Sequence, residues 1–140
     1  MESINFCDSK DDIKRLEEIR LESFKARKAY DNIEDSLIYK KIMNGDYLVV
    51  GLSLENKLIG GCVISSSLKS LYIEYLFIDP KYQHEGYGTS IMQYVLRNKN
   101  AFEDYYHMKF TESMLEEKEC EEFYKKLEYR NSGYLMKKKI

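Results

Sequence analysis

Three β-branched and aromatic runs follow one another in mid-chain: YLVVGLSL (47–54), LIGGCVISS (58–66) and LYIEYLFID (71–79), separated only by ENK and SLKS. Connections this short join neighbouring antiparallel strands, so residues 47–79 are predicted to form a three-stranded meander. The third run is apolar at almost every position, the pattern of a central strand covered on both faces, and Glu74 inside it stands out. Such a strand needs helices above and below, and helical spacing is present on both sides of it in the chain. From Lys10 to about Lys28, Ile13, Leu16, Ile19, Leu21 and Phe24 recur among charges, with Asp11 and Asp12 favouring the N-terminal end. A second helix is expected from about Ile33 to Met43, stopped by Asn44-Gly45.

The third run ends in DPKYQHEGYGTSIMQYVLRN (79–98), which opens into a helix from about Gly88 to Asn98. The chain has seven glycines and one proline, and Pro80, Gly86 and Gly88 stand together where that helix begins. Between a strand and a helix, Gln83-x-x-Gly86-x-Gly88 offers backbone N–H groups that have no helical acceptor, at the positive end of the helix dipole. Glycine lets a ligand approach bare backbone there, an arrangement suited to phosphate; a plain strand-to-helix turn would use the same residues. The spacing fits neither the dinucleotide fingerprint nor the nucleoside-triphosphate loop. Farther on, YYHMKFT (105–111) reads as a strand, EEKECEEFYKKLEY (116–129) as a helix and YLMKKKI (134–140) as a last strand, while INFCD (4–8) suits a first one.

Hydrophobic residues make up 44% of the 140 and charged residues 33%, a balance that supports one globular domain over residues 1–140. The formal net charge of -2 gives no general attraction to nucleic acid or anionic membrane, so neither is expected as a partner. No apolar run is long enough to cross a bilayer, and the N-terminus lacks signal character. Cys7, Cys62 and Cys120 form no C-x-x-C pair, which fits reduced thiols in a cytoplasmic location. Thirteen tyrosines and no tryptophan are explained by nothing in the pattern.

The run LYIEYLFIDPKYQHEGYGTSIMQYVL resembles motif A of the GNAT acyl-CoA N-acyltransferases: a central strand ending in an apolar triplet and x-P, then Gln/Arg-x-x-Gly-x-Gly/Ala and an amphipathic helix. CEEFYKKLEY is similar to the family's motif B, and the likeness extends from about Tyr47 to the C-terminus. The resemblance implies an α+β fold, a mixed and mostly antiparallel sheet of six to seven strands with helices on both faces. It also implies an acetyl-CoA-dependent N-acetyltransferase, with acetyl-CoA as acyl donor and a primary amine of a small molecule or peptide as acceptor. By position, Gln83, His84, Glu85, Gly86, Tyr87, Gly88 and Thr89 would form the pyrophosphate turn, and the backbone of Phe77 and Ile78 would pair with the pantetheine arm. Relatives often dimerise through their C-terminal strands, so a homodimer is among the expected states. The chain departs from the pattern at Glu85, where a basic or small residue is common, at Glu117, often asparagine, and at Glu128, usually glycine.

Acyl transfer to an amine needs an acceptor for the amine's proton and a donor for the departing thiolate. Tyr124 aligns with the motif B tyrosine that acts as general acid; its other reading is a core aromatic beside Phe123. Glu74 is the candidate base, because a carboxylate in an apolar strand must face a cleft or hold a partner. His84 and His107 are too isolated for a metal site, and no metal is expected. Cys120 reads as a small buried residue, and Ser65, Ser66 and Ser67 as hairpin-turn chemistry. Six glutamates between Glu112 and Glu122 read as a solvated helix face, or as an acidic rim that attracts a cationic acceptor. A non-catalytic acyl-CoA-binding module that keeps the fold is the alternative, supported by Glu85, Glu117 and Glu128.

Overall fold

A computed structural model of the chain describes residues 1–26, 35–116 and 120–140. Its strands are β1 (Glu2–Phe6), β2 (Leu48–Leu54), β3 (Lys57–Ser67), β4 (Ser70–Ile78), β5 (Glu112–Leu115), β6 (Arg130–Ser132) and β7 (Leu135–Lys139). They form one seven-stranded sheet in the order β1-β2-β3-β4-β5-β7-β6, which puts β4 at the centre as its apolar sequence requires. The β4–β5 pair is parallel and the other pairs are antiparallel. Parallel neighbours need a crossover, and α3 (Tyr87–Arg97) and α4 (Lys99–Tyr106) provide it.

Alternation along the strands feeds two cores. Val49, Val63 and Phe77 pack with Ile13, Leu16 and Ile19 of α1 (Lys10–Ala26) on one face. On the other, Val50, Cys62, Ile64 and Ile73 pack with Ile91, Met92 and Val95 of α3. The remaining helices are α2 (Asp35–Met43) and α5 (Glu121–Lys126). Gly45 takes φ +85° just after α2, the left-handed stop expected of Asn44-Gly45. The expected end of the first helix at Lys28 and start of the second at Ile33 lie outside the described residues.

The predicted strand at 105–111 is not formed. Phe102 and Tyr106, four residues apart, put one helical face of α4 on the core, and His107 ends that helix at φ +54°. Helical packing here overrides the strand preference of adjacent tyrosines, whose hydroxyls donate to the Gly45 and Asp46 carbonyls at 3.1 and 3.0 Å. The strand comes later, as β5, inside the glutamate-rich run. Glu112 there lies 3.7 Å from Lys137 Nζ and accepts from Ser70 Oγ at 3.2 Å, so it belongs to the sheet and not to a solvated helix face. Near the C-terminus, β6 pairs with β7 as a short hairpin that the sequence pattern did not indicate.

Candidate active site

The β3–β4 ladder slips by one residue. Val63 faces Tyr75 and Ile64 faces Ile73, leaving Glu74 as the extra residue of a bulge. Ile73 therefore enters the core under α3, while Tyr75, only two positions on, packs on the α1 side. Glu74, half-buried, lines an open cavity of about 890 Å³ together with Lys41, Asp46, Tyr47, Tyr72 and Glu116. Ser65 Oγ donates to Glu74 Oε1 at 2.7 Å. Burial raises the Glu74 pKa; the Ser65 hydrogen bond and the Lys41 charge hold it back, while Glu116 adds to the rise. Ser65, Ser66 and Ser67 thus do not make the hairpin turn. They extend β3 and pair with Tyr72, Leu71 and Ser70, and the turn itself is Leu68-Lys69.

Parallel pairing of β4 with β5 runs only from Ser70–Glu112 to Tyr72–Met114. Past Tyr72 that edge of β4 has no strand partner among the described residues. The Asp79 N–H donates to the Ile59 carbonyl at 2.7 Å, so strand alternation directs the Phe77 main chain to β3 as well. The main-chain groups of Leu76 and Ile78 are directed to the open side. A second cavity of about 730 Å³ adjoins this stretch, with Leu76, Phe77, Ile78, Gln83, Phe123 and Tyr124 in its wall.

The turn after β4 is built by its own polar groups. Asp79 accepts from the Lys81 N–H at 3.0 Å, and Pro80–Tyr82 make one turn of 3-10 helix. Gln83 Nε2 donates to the Ile78 carbonyl at 3.1 Å and to Ser23 Oγ of α1 at 3.5 Å, which ties the turn to both strand and helix. His84 and Gly86 take left-handed backbone, φ +66° and +88°. No side chain caps α3, and its first bond runs from the Ser90 N–H to the Gly86 carbonyl at 3.1 Å. The N–H groups of Tyr87, Gly88 and Thr89 therefore have no intrahelical acceptor, and these three residues line the second cavity with His84 and Gly86. Glu85 is exposed and is not in the cavity wall. A Cβ on Gly88 would lie 3.3 Å from Phe123 Cζ, so its absence lets the α5 ring rest on the start of α3.

Tyr124, 2% exposed, reaches the second cavity from α5, its ring held edge-on between Phe123 at 5.0 Å and Tyr129 at 5.8 Å. The Tyr129 N–H donates to the Tyr124 carbonyl at 3.0 Å and the Glu128 N–H to the Lys125 carbonyl at 2.9 Å. This double bond to the last turn puts Glu128 at φ +73°, the place glycine usually fills. Cys120, half-buried, is also in the cavity wall. Glu121 and Glu122 lie 3.1 and 3.7 Å from Lys125 Nζ, and the expectation for Glu117 falls outside the described residues.

Sequence reasoning missed Leu76, Ser23 and Phe123 in the second cavity and Lys41, Tyr47 and Tyr72 in the first. The unexplained abundance of tyrosine was the signal: Tyr47, Tyr72, Tyr105 and Tyr106 all line the first cavity.

The model of the acetyltransferase (GNAT) domain family matches residues 44–131. No curated protein sequence is significantly similar to the chain. Among solved structures, the PaiA N-acetyltransferase of Thermoplasma acidophilum, in complex with coenzyme A, aligns over 99% of both chains with TM-score 0.74 and 20% identity. The ribosomal-protein-S18-alanine N-acetyltransferase of Escherichia coli aligns over 100% of this chain and 94% of its own, with TM-score 0.75 and 14% identity. A GNAT family acetyltransferase of Brucella melitensis, in complex with acetyl-CoA, aligns over 100% and 88%, with TM-score 0.74 and 12% identity. At these identities the structures establish a shared fold, and the family match covers more than half of the sequence. The chain belongs to the GNAT acetyltransferases.

Proposed function

We propose that the chain, acting as one domain, transfers an acetyl group from acetyl-CoA directly to a primary amine. The observation that carries this reading is the placement of two cavities along one unpaired stretch of β4. Glu74 lines one, beside Tyr72 at the last paired position, Leu76 to Ile78 line the other, and Tyr124 stands in the second. The N–H groups of Tyr87, Gly88 and Thr89, at the positive end of α3, suit the coenzyme's diphosphate, with Gln83, His84 and Gly86 shaping the turn. The Leu76 main chain and the Ile78 N–H suit the pantetheine amides, as an added strand would, while the Ile78 carbonyl is held by Gln83. Phe77 supports that edge by burying its side chain under α1.

In the reaction, Glu74 accepts a proton from the acceptor ammonium, directly or through water, and frees the nitrogen lone pair. That lone pair attacks the thioester carbonyl carbon, the C–N bond forms as the C–S bond breaks, and the nitrogen's second proton passes to solvent. Tyr124 gives its hydroxyl proton to the departing thiolate and is reprotonated from solvent. A base with a raised pKa is well matched to an ammonium proton near neutral pH.

The exposed position of Glu85 removes one argument for a non-catalytic module, and Glu128 acts at a helix end. Thiol release from acetyl-CoA against a panel of primary amines tests the reading. Release with at least one amine is expected; acetyl-CoA binding without release for any amine would leave the binding module in its place.

A further inference from the structure

We infer that the acceptor is a small aliphatic amine carrying a second positive charge, with its reacting nitrogen at Glu74 and its other ammonium held between Asp46, Glu116 and the tyrosines of the same cavity. This rests on the acetyl-transfer reading for the identity of the reacting end. The recognition itself stands on the cavity.

Among the described residues, the wall brings together three carboxylates, Asp46, Glu74 and Glu116, and one ammonium, Lys41. The whole 140-residue chain carries a formal charge of only -2, so negative charge is concentrated here against a nearly balanced surface. A concave site focuses that field more strongly than a flat acidic face would.

The tyrosines add a second, independent feature. Lys41 Nζ sits over the Tyr47 ring at 5.0 Å from its centroid and donates to the Tyr47 hydroxyl at 3.4 Å. The chain's own ammonium thus rests on this wall by ring face and hydroxyl together, the contacts a ligand's ammonium would use. Tyr72 and Glu116 lie in the same wall, and burial together with the Glu116 carboxylate raises the Tyr72 pKa. Aromatic walls with carboxylates behind them favour cations with apolar stems over neutral or anionic amines.

The size suits a small molecule. At about 890 Å³ the cavity lies within the range of small-ligand sites. Of the described glutamates in the acidic run, Glu112 pairs with Lys137, Glu121 and Glu122 pair with Lys125, and Glu116 lines the cavity.

Calorimetry on the protein saturated with coenzyme A, titrated with diaminobutane and separately with butylamine, decides the matter. The diamine is expected to bind about tenfold or more tightly than the monoamine of equal length. Substituting Asp46→Asn and Glu116→Gln together should erase that preference while leaving butylamine binding and the melting temperature in place. Lys41→Met should tighten diamine binding, because it removes the ammonium already seated on the Tyr47 ring. Equal affinities in the native protein, or a diamine preference that survives the double substitution, would overturn the proposal. Tight diamine binding without thiol release would instead retain the cation site and overturn the acetyl-transfer reading.

Discussion

Ser65 and Glu74 are joined by a 2.7 Å hydrogen bond across the one irregular step of the β3–β4 ladder, where Glu74 is the residue left without an opposite number. The hydroxyl stabilises the carboxylate form, against the burial that pushes the Glu74 pKa up. With Glu74 as base, kcat/KM falls at acid pH as the carboxylate takes up its proton. Ser65→Ala removes a lowering influence, so the acid limb should move to higher pH. Glu74→Gln should abolish that limb. A pH–rate profile that neither substitution moves would remove Glu74 from the mechanism.

The same carboxyl links pH to stability. Its folded pKa lies above the ordinary value, so the fold binds this proton more tightly than the unfolded chain does. That contribution is complete below the unfolded carboxyl's range and is lost as pH rises through the folded value. Glu74→Gln is uncharged throughout, so it should melt above the native protein at about pH 8, with the gap closing toward about pH 4. Parallel thermal melts across that span are the check.

Tyr124 is wedged between Phe123 and Tyr129, so Tyr124→Phe keeps the packing and removes only the hydroxyl. As the proton donor to the thiolate, it should cost about tenfold or more in kcat with little change in KM for acetyl-CoA. Steady-state rates with both substrates varied will separate the two; an unchanged kcat would confine the residue to the core.

The two glycines of the turn should fail in different ways. Gly86 has open space around its missing Cβ but sits at φ +88°, so Gly86→Ala should cost about 1 kcal/mol of stability through backbone strain. Gly88→Val should displace the Phe123 ring, which already lies within 3.3 Å of where a Cβ would be, and narrow the second cavity. The expected result is a Kd for coenzyme A raised by about tenfold, read by calorimetry beside a melting curve. Unaltered coenzyme affinity in both variants would unseat the turn as the diphosphate site.

Glu128 holds a left-handed position that its side chain does not favour, and its ion pair with Lys138 is long, at 4.0 Å, and exposed. Glu128→Gly relieves the strain but adds freedom to the unfolded chain, for a net gain of about 0.5–1 kcal/mol. Melting should rise by about 2–4 °C, with activity unchanged.

Local pattern alone determined a great deal. Alternating and continuous apolar runs specified β2, β3 and β4, and Asn44-Gly45 specified the end of α2. The Gln83-to-Thr89 turn and the motif around Tyr124 carried the family, because turns and helix ends are built by neighbours in the chain. Tertiary structure decided what depends on distant partners. Strand preference at 105–111 yielded to the face that Phe102 and Tyr106 bury together, and β5 formed in an acidic segment because β4 and β7 supply its ladders. The bulge that turns Glu74 out of both cores is a mismatch between two strands and exists in neither sequence separately. The cation cavity likewise gathers Lys41, Asp46, Glu74 and Glu116 from segments far apart along the chain, so its charge becomes visible only once the sheet has brought them to one wall.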